Sequence, residues 1–186
     1  MKKWIIDFLL DLAKAFQSKY DTPAPTPVPA PSTPPVSIDD VLMWLLKLED
    51  RTLEGKIIDL GDGAGLTRFG ITQKWFKSAL PADFWSPTLP TGVAIVYAKL
   101  FYHRHYWDDM GLSEFHDITF AASVLSCAVN MGTAVAQKLL RESAGHQQFI
   151  AAWIAAYDDL VKHSPDDAKF LKGWRARANA IFPTLP

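Results

Sequence analysis

The stretch DTPAPTPVPAPSTPPVS, residues 21–37, holds seven of the chain's thirteen prolines, and a backbone so short of N–H donors and so fixed in φ forms neither helix nor sheet. It divides the 186-residue chain in two. Residues 21–36 read as a semi-rigid, extended, proline-rich linker, and one domain follows over 37–186. Before the linker, MKKWIIDFLLDLAKAFQSKY places Asp7, Asp11, Lys14 and Ser18 on one stripe of a helix whose other sides are Trp4, Ile5, Phe8, Leu9, Leu12 and Phe16. An amphipathic helix over 1–20 is the expectation. Asp7 and Asp11 interrupt the apolar run that a secretory signal or a membrane span requires, so neither cleavage nor spanning is expected. Such a helix lies on a membrane surface, helped by Lys2, Lys3, Lys14 and Lys19, or docks on protein.

The domain itself reads as mainly α. Ser37 with Asp40 forms the pattern of a capping box before DVLMWLLKLE, whose Val41, Leu42, Leu45, Leu46 and Leu48 recur at helical spacing. TGVAIVYAKLFYHRHYW follows as a helix capped by Thr91, and FHDITFAASVLSCAVN is apolar on nearly every side, as a helix at the centre of a bundle is. MGTAVAQKLLRESAG and QQFIAAWIAAYDDLVKH are amphipathic, and SPDDAKFLKGWRARANAIF opens on Ser164 as cap with Pro165 at the first helical position. Strand signals are scarce: KIIDL, and LTRFGIT beside it. The expected fold class is a helical bundle with at most a small β-hairpin near a glycine-rich loop.

Composition removes several functions. With 19 basic against 20 acidic residues, the net charge of −1 lacks the electrostatic footprint of a duplex nucleic-acid binder. Cys127, the single cysteine, permits no internal disulfide and sits in an apolar run as a small core residue. His103 and His105, two apart on a helix, point in different directions and do not share a metal. The acidic glycine loop lacks the alternating oxygen ligands and terminal glutamate of a calcium loop, and no metal or cofactor is expected.

Chemistry concentrates in LEDRTLEGKIIDLGDGAGLTRFGIT, residues 48–72, where Glu49, Asp50, Glu54, Asp59 and Asp62 mingle with five glycines. Glu49 ends the first domain helix, where the helix dipole disfavours a carboxylate. The glycines let the loop turn back and bring Asp62 and Thr67 toward it. Two carboxylates and a hydroxyl around one cleft suit glycoside cleavage: one acid protonates the leaving oxygen, and a second group activates water or steadies the oxocarbenium ion.

These residues resemble glycoside hydrolase family 108, the bacterial and phage N-acetylmuramidases that join a lysozyme-like helical catalytic half to a peptidoglycan-binding helical half. DGAGLTRFGIT (Asp62 to Thr72) is similar to the family's Asp-x-Gly-Gly-x-Thr-x-x-Gly-Ile-Thr loop, FYHRHYW to its Tyr-Trp segment, AVNMGTAVAQKLL to its Asn-x-Gly junction and FLKGWRAR to its closing Gly-Trp-x-x-Arg. The family's two glycines after the glutamate are Asp50 and Arg51 here, and Glu54-Gly55 is the alternative match. The resemblance implies a lysozyme-like bundle, Glu49 as general acid, and Asp62 or Thr67 positioning the water, with Asp59 as the alternate carboxylate. Arg68, Phe69, Tyr106, Trp107 and Asn130 are the candidate glycan contacts, although Asn130 also suits a helix cap. The implied partner is the peptidoglycan strand. A protein made in the bacterial cytoplasm without a signal peptide would reach the wall through a holin pore or a dedicated exporter. The competing expectations are a wall-binding or particle-structural protein without activity, and a lytic transglycosylase.

Overall fold

The computed structural model describes residues 36–185 apart from 60 and 62. The helix expected over 1–20, nearly all of the linker over 21–36, and Asp62 lie outside these. The capping box forms in full: Asp40 N–H is accepted by Ser37 Oγ, and Ser37 N–H by Asp40 Oδ2 at 2.8 Å. It opens α1, Ile38–Glu49, which buries Val41, Leu42, Trp44, Leu45 and Leu46. Fully burying side chains of this size stabilises by roughly 1.5–3 kcal/mol each, so this face fixes α1 in the core.

Beyond α1 the chain forms a three-stranded antiparallel sheet in the order β1 (Ile58–Asp59), β2 (Leu66–Arg68), β3 (Ile71–Thr72). LTRFGIT is therefore a complete hairpin rather than one strand. Arg68 pairs with Ile71, so only Phe69 and Gly70 remain to turn the chain, and their φ angles of 49° and 76° are both positive, as a type I′ turn demands. Phenylalanine rarely adopts that backbone. Its ring compensates by packing beneath Gly55, where a Cβ atom would come within 2.6 Å of Phe69 Cζ.

The rest is helical: α2 (Gln73–Phe76), α3 (Thr91–Tyr102), α4 (Ile118–Met131), α5 (Thr133–Arg141), α6 (His146–His163) and α7 (Leu171–Ala178). The central position expected for FHDITFAASVLSCAVN is observed, since every residue from Ala121 to Ala128 of α4 is buried. Cys127 lies there fully enclosed, and burial pushes its thiol up to about 12. Helix α6 contributes Phe149, Trp153 and Tyr157 at four-residue intervals to the same core. Among the described residues no helix is long and apolar enough to cross a membrane.

Four local expectations change. Thr91 is the first residue of α3 instead of its cap, which is Pro90, and its hydroxyl donates to the Glu54 carbonyl at 3.3 Å. HRHYWD, residues 103–108, continues α3 as a π-helix, which rotates the following side chains relative to an α-helical continuation. Asn130 caps nothing: it sits in the last turn of α4, α5 starts after Gly132 at φ 92°, and the Asn130 amide oxygen accepts from the Tyr157 hydroxyl at 2.6 Å. Ser164 occupies a cap position without a side-chain bond, because the chain first winds through a 3-10 turn over Pro165–Phe170.

Candidate active site

Glu49 is the last residue of α1, and its side chain is only 15% exposed. Directly after it the chain turns extended at Asp50, whose carboxylate accepts from Thr52 N–H and hydroxyl on one oxygen and from Gly55 N–H on the other at 2.7 Å. The residue that stands in place of a glycine thus shapes the loop by side-chain hydrogen bonds. Glu54 beyond it points outward, half exposed, and pairs with Lys56 at 2.7 Å. That pairing raises the lysine's pKa through the hydrogen bond and the carboxylate charge. Asp59 is also exposed, and it accepts from Gly61 N–H at 2.9 Å as a loop residue bonding its own backbone.

Two walls enclose the Glu49 carboxylate. The first is the β2–β3 turn: a Cβ on Gly70 would lie 2.5 Å from Glu49 Oε2 and 2.9 Å from the Tyr102 hydroxyl. Only glycine, which also accommodates the φ of 76°, lets the backbone come so close. Tyr102, buried at the end of α3, donates to the Phe69 carbonyl at 2.7 Å and latches this turn. Burial first, and the Glu49 charge second, push the Tyr102 phenol well above its usual range. Tyr106 is shifted upward by the same two causes, so it too stands in the field of Glu49.

The second wall is helical. Arg177 on α7 reaches Glu49 Oε1 with Nη2 at 2.6 Å and donates from Nε to Ser126 Oγ on α4 at 3.1 Å. Tyr157 lies near enough for both Glu49 and Arg177 to act on its phenol, which is raised chiefly by burial. Through the Tyr157 hydrogen bond Asn130 joins this neighbourhood, itself exposed.

The hydroxyls of Thr67 and Thr72 sit across the hairpin 3.1 Å apart, on the face opposite Arg68 and Ile71. The structure turns three candidate glycan contacts inward. Arg68 and Phe69 are each 3% exposed and Trp107 is 2% exposed. Arg68 donates to the carbonyls of Phe84, Ser86 and Leu89, pinning the 84–89 loop, and desolvation lowers its pKa. Trp107 donates its indole N–H to Ser113 Oγ at 2.9 Å. The Arg68 Nη groups and the Trp107 indole serve the fold, which leaves Tyr106, in the field of Glu49, and Asn130, bonded to Tyr157, as the remaining candidates. His103 bonds Asp108, while His105 packs on Phe101.

Sequence reasoning gave no role to Tyr102 or Arg177. Tyr102 lay inside a segment already singled out, FYHRHYW, and the structure selects it together with Tyr106. Arg177 lay inside the closing GWRAR segment, whose letters do not say which carboxylate it meets.

Residues 51–132 match the family model Glyco_hydro_108, described as Glycosyl hydrolase 108. No curated protein and no solved structure matches the chain. The matched segment contains the sheet, the latch tyrosine and the central helix; it begins just after Glu49 and ends before Arg177.

Proposed function

We propose, for a chain that belongs to the Glycosyl hydrolase 108 family, that it cleaves the peptidoglycan strand between N-acetylmuramic acid and N-acetylglucosamine, with Glu49 as the general acid. The observation that carries this is the enclosure of Glu49 at the end of α1 by the Gly70 backbone, Tyr102 and Arg177, in contrast to the exposed, lysine-paired Glu54. In this reading Oε2 gives its proton to the glycosidic oxygen and the C1–O bond breaks. Water adds to the resulting oxocarbenium carbon and returns a proton to the carboxylate. Thr67, paired with Thr72, or Asp62 holds that water. The protein reaches the wall through a holin pore or a dedicated exporter, and its amino-terminal segment docks it on a membrane surface or a protein.

The test is turbidity loss of purified peptidoglycan by wild type, Glu49→Gln and Glu54→Gln, each checked for folding by circular dichroism. General acid catalysis contributes roughly 10²–10⁴-fold, so Glu49→Gln loses activity on that scale while Glu54→Gln stays within about twofold. Wild type that binds the wall without clearing it sinks the enzyme assignment. Product mass separates the hydrolase from a lytic transglycosylase, whose anhydro product is lighter by one water.

A further inference from the structure

We propose that Arg177 is the positioning residue of Glu49, fixing which carboxylate oxygen faces the substrate. The inference rests on the assignment of Glu49 as the acid. Arg177 and Glu49 side chains are 12% and 15% exposed, so the pair has left most of its water behind. Desolvating two charges commonly offsets their attraction, so the net stability such a pair contributes is small and its role is sought in geometry. The guanidinium is itself oriented, because Nε is held by Ser126, a hydroxyl with no solvent exposure on the buried helix α4. A planar fork bonded at two points presents Nη2 in one direction only.

The consequence falls on the carboxylate. Oε1 is taken by Arg177, and Oε2 is the oxygen packed toward Gly70 and the Tyr102 hydroxyl. The carboxyl plane is thereby set, and Oε2 is the oxygen left free of the guanidinium, the one from which the proposed acid passes its proton. The cation also compensates the dipole of α1, whose carboxyl end disfavours a negative charge at position 49. Neither member of the pair belongs to the family-matched segment 51–132, so the chain completes its site from both sides of that segment.

The experiment measures kcat and KM on soluble, uncrosslinked peptidoglycan strands for wild type, Glu49→Gln, Arg177→Ala and Arg177→Lys, with and without millimolar guanidinium, alongside Tm. A misplaced catalytic group of this kind loses on the order of 10²-fold. Arg177→Ala therefore loses kcat on that scale with KM within about twofold, guanidinium restores a measurable part of it, and Arg177→Lys falls between. Arg177→Lys carries the same readout should Arg177→Ala not fold. A folded variant that keeps wild-type kcat, or one that loses Tm alone and ignores guanidinium, overturns the positioning role and leaves the function standing. An inactive wild type, or an active Glu49→Gln, overturns the function and this role with it.

Discussion

The two walls around Glu49 are built by opposite means. The turn wall acts through backbone: Gly70 contributes the absence of a side chain, and Phe69 contributes a carbonyl. The helical wall acts through side chains, the Arg177 guanidinium and the Ser126 hydroxyl, brought in by α7 and α4. A backbone wall tolerates almost no substitution because φ itself is the functional property. A side-chain wall tolerates changes that preserve reach and charge, and it depends on packing far away in sequence.

The sharpest way to break the turn wall is Gly70→Ala. The new Cβ meets Glu49 Oε2 at 2.5 Å on a φ of 76°, so the carboxylate or the turn must shift. Expected are an activity loss of about 10²-fold, the scale of a displaced catalytic group, and destabilisation of about 1–2 kcal/mol from the left-handed backbone. Peptidoglycan clearance and urea unfolding check both, and a fully active variant would show that the turn does not confine the acid.

The base of the same wall is tested next by Arg68→Met, which keeps the bulk and removes the donors to Phe84, Ser86 and Leu89. Carbonyls that lose a charged donor in the interior cost about 2 kcal/mol, a Tm drop of roughly 4–8 °C for a domain this size. Unchanged Tm would mean that the 84–89 loop is held by its aromatic packing alone.

Unlatching the turn by Tyr102→Phe leaves the Phe69 carbonyl without its buried donor, at about 1–1.5 kcal/mol, with Tm and clearance falling together. If only Tm falls, the latch serves stability and not the carboxylate.

The smallest effect sharpens the helical wall. His146 at the start of α6 shares a hydrogen bond of 2.8 Å with Ser123 of α4 and stacks on Phe120. Burial lowers its pKa, while Asp117 opposes the shift. The folded state therefore holds fewer protons than the unfolded one, and stability rises with pH through that window. It is fully present above the unfolded value near ~6.5 and declines as pH falls toward the folded value. Tm of wild type should fall on acidification across that range, and His146→Gln should flatten the slope. An identical slope in the variant assigns the dependence elsewhere.

Much of the turn wall was legible in sequence and little of the helical wall was, for a physical reason. The capping box at Ser37, the buried character of α4 and the strand residues around the glycine loop all follow from periodicities within a few residues. Glu49 stood out because a carboxylate at a helix carboxyl end needs compensation. What compensates it did not, since Arg177 is 128 positions away and its local surroundings, GWRAR, do not encode a partner. The π-helix at 103–108 was illegible too, because its letters also fit a continued α-helix. Asp50 marked a departure from a glycine pair, yet its carboxylate organises the loop by accepting three donors. Arg68 and Trp107 had the chemistry of sugar contacts, and only burial shows where their donors are used.

The span between Glu49 and Arg177 also sets an order of assembly. A contact across 128 residues carries an entropic cost of loop closure that the packing of the intervening chain offsets. During synthesis the ribosome delivers Glu49 with α1 and Arg177 with α7, so a nascent chain carries the carboxylate well before its guanidinium partner. On the proposed reading, the guanidinium meets the Glu49 carboxylate only once α7 has packed in place.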